Sequence, residues 1–371
     1  MNIVLIGPYY PLRGGISDTN QELCENLLKS GHIVEIINFK FLYPKILFPG
    51  KSQFDYEKKV DLISKKILSS INPINWFFVA KKINNLNPDL IISTYWTGFL
   101  APCFFILNKL TKKKIRKIGI IHNSISHENK LFEKRLLRLY LSSLNTIFTL
   151  SENVFKQIKN ISSNYKIKSL YHPIPEKFGN RINKDEAKLR LNLKIEKKYI
   201  LFFGLIREYK GLELLIHALP KILVNNPNLK LMIVGENYIS LKKYKTLVND
   251  LRISKNVIFN NKYVENHNVK YWFSASELVI LPYKTASQSG IIPLSIKFEI
   301  PVVCSNINGL KEYVLDNQTG FLFERTVENL SEKINYALKI NKKKIISNII
   351  KHKKNLSWVN FSKELLKNQN E

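Results

Sequence analysis

The stretch Tyr199-Ile-Leu-Phe-Phe-Gly204-Leu-Ile-Arg207-Glu-Tyr-Lys210-Gly211, with the periodic segment after it, constrains the fold of this chain more than any other. Ile200 to Phe203 is an apolar, β-prone run ended by Gly204, and beyond Gly211 the residues Leu212, Leu215, Ile216, Leu219 and Leu223 recur at helical spacing. The pattern predicts a strand, a short loop and a helix, with Pro220 kinking or shortening the helix. In an open parallel sheet, ligands bind beyond the carboxyl ends of the strands, so the loop carrying Arg207 and Lys210 is a candidate site. Two cations beside the outward N–H groups of a helix start suit a phosphate or diphosphate. Taken alone, the same two residues fit an ordinary solvated loop equally well.

The alternation recurs along the chain. Asn2 to Ile6 reads as a strand, followed by a loop with Arg13-Gly14-Gly15, a helix to Lys29 and a strand from His32 to Phe39. That is a βαβ unit, and Gly14-Gly15 lets backbone approach a ligand closely. The loop is neither a GxGxxG nor a Walker pattern, so it carries no dinucleotide or ATP fingerprint. Asp89 to Thr94 is a strand that delivers Tyr95-Trp96-Thr97-Gly98 at its carboxyl end, where Trp96 is a candidate ligand contact. Ile118 to Ile121 is another, ending at His122-Asn123, with His127-Glu128 just beyond. A helix from about Phe132 to Leu144, a strand from Thr146 to Leu150, a cap at Ser151 and a strand from Lys168 to Tyr171 complete this half. His172-Pro-Ile-Pro175 breaks the pattern and marks a domain boundary. The second half repeats the logic, with strands at Tyr199–Phe203, Leu229–Val234, Val257–Phe259, Leu278–Leu281 and Val302–Cys304. The tail with Trp358, Phe361, Leu365 and Leu366 is one more amphipathic helix. The boundaries are therefore 1–172, 173–355 and 356–371, and both halves read as doubly wound α/β units.

Composition limits what such a chain does. With 371 residues and 45% hydrophobic content it is long enough for two cores. Its net charge of +29 invites an anionic partner. Residues 1–175 carry 25 Lys/Arg against 11 Asp/Glu and the remainder 33 against 18, so the halves share the excess evenly. An even spread, in a chain rich in Lys, Asn and Ile together, argues against a dedicated nucleic-acid module. Residues 40 to 87 read as an apolar and basic loop followed by helical runs carrying Lys58-Lys59, Lys65-Lys66 and Lys81-Lys82. Alternating with Phe41, Leu42, Ile46, Leu47, Trp76, Phe77 and Phe78, these pairs are either solvated faces or a surface that rests on a membrane. The most apolar window, Phe99 to Leu107, is too short to cross one, and the N-terminus reads as a first strand and not a signal peptide. Cys24, Cys103 and Cys304 lack metal-ligand spacing and read as buried reduced thiols, which favours the cytoplasm.

The segment from Pro282 narrows the chemistry. Ala286-Ser287-Gln288-Ser289-Gly290-Ile291 is a polar turn leading into a helix, suited to capping it and presenting N–H groups to an anion. Ser295, Pro301-Val302-Val303, Gly309-Leu-Lys-Glu312 and Thr319-Gly320-Phe321 follow. The ordered set of Arg13-Gly14-Gly15, His122, Gly204 to Gly211, Ser287 to Gly290 and these later pieces resembles retaining glycosyltransferases of family 4. The resemblance covers nearly the whole chain. It implies the GT-B fold, two facing Rossmann-like domains with a last helix crossing back to the N-terminal one, which suits Trp358 and Phe361. By the same resemblance His122 contacts the donor sugar and reacting centre, and Arg207 and Lys210 meet the departing diphosphate. Gly14, Gly15, Gly204, Ser287 to Ile291, Ser295 and Glu312 then line the donor, and Arg13, Trp96, His127 and Glu128 the acceptor. Two features depart from the pattern. The family's Arg directly after the strand glycine is Leu205 here, its role passing to Arg207. The family's two glutamates eight apart fall on Ser287 and Ser295, as in a branch with Ala-Thr-Gln-Ser-Gly, so Gln288, Ser289 and nearby backbone N–H groups take more of the holding.

Transfer from a nucleotide sugar expels a diphosphate whose growing charge needs a cation or dipole. Many transferases place a divalent metal on an Asp-x-Asp pair, and this sequence has none. The reading is thus a metal- and cofactor-independent cytoplasmic transferase, peripheral to an anionic membrane, that moves a UDP- or GDP-linked hexose to a lipid-linked or surface-polysaccharide acceptor. The alternatives are a nucleotide-sugar 2-epimerase on the same fold, or a non-catalytic basic membrane or nucleic-acid binder.

Overall fold

The computed structural model describes residues 1–43, 54, 64–123, 130–161, 164–237 and 240–367. His127, Glu128 and the Lys58-Lys59 pair lie outside the described residues. The chain divides into two compact units, one of Met1–His172 together with the segment that begins at Trp358, the other Pro173–Ser357.

The first unit runs β1 (Asn2–Ile6), α1 (Gly15–Lys29), β2 (Ile33–Phe41), β3 (Lys65–Ser69), α2 (Pro73–Leu86), β4 (Leu90–Tyr95), α3 (Ala101–Leu110), β5 (Arg116–Ile121), α4 (Lys130–Leu141), β6 (Thr146–Thr149), α5 (Glu152–Lys159) and β7 (Ile167–Ser169). The strands form a parallel sheet in the order β3-β2-β1-β4-β5-β6-β7. Each central strand is apolar on both faces, because helices cover both. The order reverses between β1 and β4, which makes their carboxyl ends the natural ligand crevice of this sheet.

Lys65-Lys66 opens an edge strand, not a helical run. Leu68 fills the core while Lys65 pairs with Glu35 of β2 and Lys66 is exposed. Lysines on an edge also discourage pairing with another chain. The helix read as ending near Leu144 stops at Leu141. Ser151 caps α5 as expected, its hydroxyl accepting from Val154 N–H at 3.1 Å.

The second unit runs α6 (Lys184–Arg190), β8 (Lys198–Phe203), α7 (Leu212–Asn225), β9 (Leu229–Val234), α8 (Lys242–Asp250), β10 (Val257–Asn260), α9 (Asn266–Ser274), β11 (Leu278–Leu281), α10 (Ile291–Lys297), β12 (Val302–Ser305), α11 (Asn308–Lys311), β13 (Gly320–Phe323), α12 (Val327–Lys339) and α13 (Lys343–Asn355). Its parallel sheet is ordered β10-β9-β8-β11-β12-β13, with the reversal between β8 and β11. Pro220 does not shorten α7, which continues five residues past it. Leu219 and Ile222, both fully buried, anchor the turns on either side. β13 escapes the sequence reading because it is short and begins at a glycine. Only glycine fits there, since a Cβ on Gly320 would lie 2.6 Å from the Val302 carbonyl oxygen.

A half-buried ion triad fastens this unit. Glu277, just before β11, accepts from Lys184 at 2.5 Å and from Lys342 at 3.0 Å. Burial alone would raise its carboxyl, but the two ammonium groups hold it at about 2.

The last helix, α14 (Trp358–Leu366), returns to the first unit and packs on α1. Trp358, Phe361 and Leu365 join Leu23, Cys24 and Leu27 in one cluster. The Trp358 indole donates to the buried Glu22 carboxylate at 2.7 Å. All three cysteines are buried free thiols. Among the described residues no helix is long and apolar enough to cross a membrane.

Candidate active site

In the second unit the loops after β8 and β11 emerge on either side of the point where strand order reverses. They touch. The Lys284 N–H donates to the Tyr209 carbonyl at 2.6 Å, and a Cβ on Gly211 would fall 1.9 Å from the Pro282 carbonyl oxygen. Gly211 has φ 68°, so both space and backbone demand glycine. Between strand and helix the chain makes one 3-10 turn, Glu208–Lys210, which carries Arg207 at its entry and Lys210 at its end.

Lys210 is the unusual group. It is 7% exposed, its Nζ lies 5.3 Å from the centre of the Tyr283 ring, and it has no carboxylate or hydrogen-bond acceptor among the described residues. The ammonium rests against Gly204, whose notional Cβ would sit 3.0 Å from it and 3.5 Å from Ile291 Cδ1. Burial pushes its pKa below the usual lysine range, Tyr209 opposes the shift and Arg207 adds to it. A desolvated cation with only an aromatic face beside it is costly to maintain and poised for an anion.

The loop after β11 is built onto the same place. Gly309, at the start of α11, presses on it: a Cβ there would meet the Ala286 carbonyl oxygen at 2.2 Å and the Ser287 carbonyl carbon at 2.7 Å. Glu312 ends that short helix, half-buried. Gln288 Oε1 is buried with no partner among the described residues. Ser289 Oγ accepts from Ile291 N–H at 3.3 Å, and Gly290 is exposed.

One expectation here needs refinement. α10 is only seven residues long and Gly290 holds its cap position, so the serine support comes from one residue earlier, through Ser289 Oγ. Its first amides already bond back to Ser289, so the turn offers an anion fewer free N–H groups than expected. Ser295 is fully buried and donates to the Ile300 carbonyl at 3.0 Å, a bond that ties α10 to the turn before β12.

In the first unit, Gly14 (φ 123°) and Gly15 begin α1, both exposed, with nothing within 4 Å of where a Cβ would be. Arg13 precedes them, half-buried. His122 ends β5, its N–H donating to the Tyr95 carbonyl at 2.8 Å. It is 3% exposed, and Nε2 has no partner among the described residues. Burial, aided by His172, lowers its pKa to about 3, so the ring is neutral at physiological pH. Trp96 donates its indole N–H to the Tyr43 hydroxyl at 2.5 Å, so that donor is already engaged.

Sequence reading missed two members. Tyr283 is invisible as a partner of Lys210 because 72 residues separate them. Gly235 (φ 141°) presses on Gly204, its notional Cβ 2.2 Å from the Gly204 carbonyl oxygen. A glycine closing the strand Leu229–Val234 was the available signal.

Two parallel, doubly wound sheets with a returning last helix define the GT-B fold of glycosyltransferases. Residues 183–354, which lie within the second unit, match the family described as Glycosyl transferases group 1. Over most of its length the chain resembles an uncharacterized glycosyltransferase of Methanocaldococcus jannaschii, 24% identical across 86% of this chain and 84% of the relative. A shorter stretch is 38% identical to the GDP-mannose:glycolipid 4-beta-D-mannosyltransferase of Xanthomonas campestris pv. campestris, over 28% of this chain and 29% of the relative. Among solved structures, Anabaena HepE in complex with UDP and glucose superposes with a TM-score of 0.75, at 16% identity and 98% coverage of both chains.

Proposed function

We propose that the protein is a metal-independent glycosyltransferase that moves a hexose from a UDP- or GDP-sugar to a lipid-linked or surface-polysaccharide acceptor. The observation that carries this is the buried, acceptor-free ammonium of Lys210 at the strand-order reversal of a group 1 glycosyl transferase domain. HepE, crystallised with UDP and glucose, and the GDP-mannose-dependent relative support a nucleotide sugar as donor.

In the reaction the bond between the anomeric carbon and the diphosphate oxygen breaks, and the acceptor oxygen bonds to that carbon. The acceptor proton passes to the departing phosphate, and charge grows on the diphosphate through an oxocarbenium-like transition state. Lys210 and Arg207 meet that charge in a water-poor site, where fixed cations act more strongly than in water. Gln288, Ser289 and the backbone at Gly290 hold the donor, with Glu312 on the supporting turn. His122, neutral, offers a hydrogen bond to the sugar rather than a titrating base. The first unit takes the acceptor, with Arg13, Trp96 and the 127–128 segment as its contacts. Neither a 2-epimerase nor a non-catalytic binder is favoured by the family match or the relatives.

The test is a screen of UDP-, GDP- and ADP-hexoses for thermal shift and turnover, with EDTA present. A UDP- or GDP-hexose is expected to work undiminished in EDTA, and loss of all turnover there would refute metal independence. Lys210→Ala is expected to cost about 2–3 kcal/mol of transition-state stabilisation, by analogy with one oxyanion donor. An unchanged kcat would remove Lys210 from the site. The anomeric proton coupling of the product reports whether configuration is retained, as the resemblance to family 4 implies.

A further inference from the structure

By halves the charge is even, but residues 64–123 hold ten Lys/Arg against a single acidic residue, Asp89. That segment contains α2, whose inner face (Trp76, Val79, Ala80, Ile83) is buried in the first unit. The outer face is not polar. Ile74 is 71% exposed, Phe77 56% and Phe78 63%, with Ile71 at 50% just before the helix. The two phenylalanine rings pack edge-on, 6.0 Å apart, and with Ile74 form an exposed apolar strip at helical spacing. One turn further along the same face come Lys81 and Lys82, both exposed. Hydrogen bonds through Asn84 hold a second basic cluster beside the end of the helix: Asn84 donates to the Leu110 carbonyl at 3.0 Å and accepts from Lys112 N–H at 2.8 Å. Exposed Lys109, Lys112, Lys113 and Lys114 extend from there, and none of these six lysines has a carboxylate partner among the described residues.

Scattered exposed apolar residues are ordinary, but four on one strip, rimmed by unpaired cations, mark a docking surface. We propose that α2 lies in the face of an anionic phospholipid bilayer, with Ile71, Ile74, Phe77 and Phe78 among the acyl chains and the lysines on the headgroups. The chemistry selects this occupant. The exposed apolar strip and the cationic end beside it match acyl chain and phosphate respectively. A second copy is disfavoured because it would bring a surface of the same charge. Bases stacking on the phenylalanines are disfavoured because aliphatic Ile71 and Ile74 share the strip. The proposal deepens the lipid-linked-acceptor reading, whose purpose it serves, yet it is measured without donor or acceptor, so either can fail alone.

The full chain is floated with neutral phosphatidylcholine vesicles and with vesicles containing about a third phosphatidylglycerol. Binding is expected to the anionic vesicles only, weakening with salt. Phe77→Ser with Phe78→Ser is expected to weaken it roughly tenfold, and Lys81→Glu or Lys82→Glu roughly fivefold each. All four positions are exposed, so folding is checked by an unchanged thermal midpoint. Tryptophan at 78 (Phe78→Trp) is expected to blue-shift on anionic vesicles and to be quenched by brominated lipid. Full binding by the folded double serine variant overturns the proposal. So does a residue 78 that stays water-exposed on vesicles, or one that shifts with single-stranded RNA but not with lipid.

Discussion

In the proposed reaction Lys210 sets function against stability at one position. An ammonium that is desolvated and has no anion beside it destabilises the fold, because the charged form is disfavoured where water is excluded. Lys210→Met is therefore expected to raise the thermal midpoint, by about 1–2 kcal/mol of stability, while turnover falls about a hundredfold. Calorimetry and kinetics on the same preparation check both halves. His122 offers a second measurement. Its folded pKa of about 3 lies below the unfolded value of 6.5, so the unfolded chain binds more protons between those limits. The stability it contributes is complete above about pH 6.5 and is lost as pH falls toward 3. Denaturant titrations across that window are expected to show a flatter acid loss in His122→Asn. What the sequence disclosed at this scale was the loop positions of Arg207, Lys210 and His122, because each follows a recognisable strand. Burial was not legible. It depends on Tyr283 for Lys210 and on the Tyr95 strand for His122, partners far apart in the chain.

At the scale of elements, the strands that hydrophobic runs announce, Asn2–Ile6, Leu229–Val234 and Leu278–Leu281, are where those runs lie. The elements that escaped or shifted are those with weak local signals: the edge strand β3, written in lysines, and β13, four residues opening on Gly320. The link between α11 and the loop after β11 was also hidden, since a glycine announces closeness without saying to what. Gly309→Ala makes that link testable. Its methyl group would strike the Ala286 carbonyl at 2.2 Å, so the loop must move. Stability is expected to drop by about 1–3 kcal/mol and donor KM to rise, with Gly98→Ala in the first unit as a control that leaves donor KM alone. Gly98 is a fair control because its new Cβ meets only the Glu133 side chain and backbone at 3.1 Å or more.

For the molecule as a whole, the two sheets share one plan used twice, strands added outward on each side of the first, with a seventh strand on the first sheet alone. The sequence discloses this well, because alternation of strand and helix is all the plan requires. The return of α14 has a further consequence, which concerns the ribosome. Trp358, Phe361 and Leu365 complete a cluster begun by Leu23 and Leu27, so the half made first is finished last. The intervening 185 residues of the second unit take about 10–40 s to translate at ordinary rates. For that interval the nascent first half exposes the greasy flank of α1, whereas the second half emerges whole and is free to fold at once. A chain stopped at 357 is thus expected to keep a protease-resistant fragment from the second unit while its first half is digested or captured by chaperones. Limited proteolysis of the shortened and full chains side by side would show it.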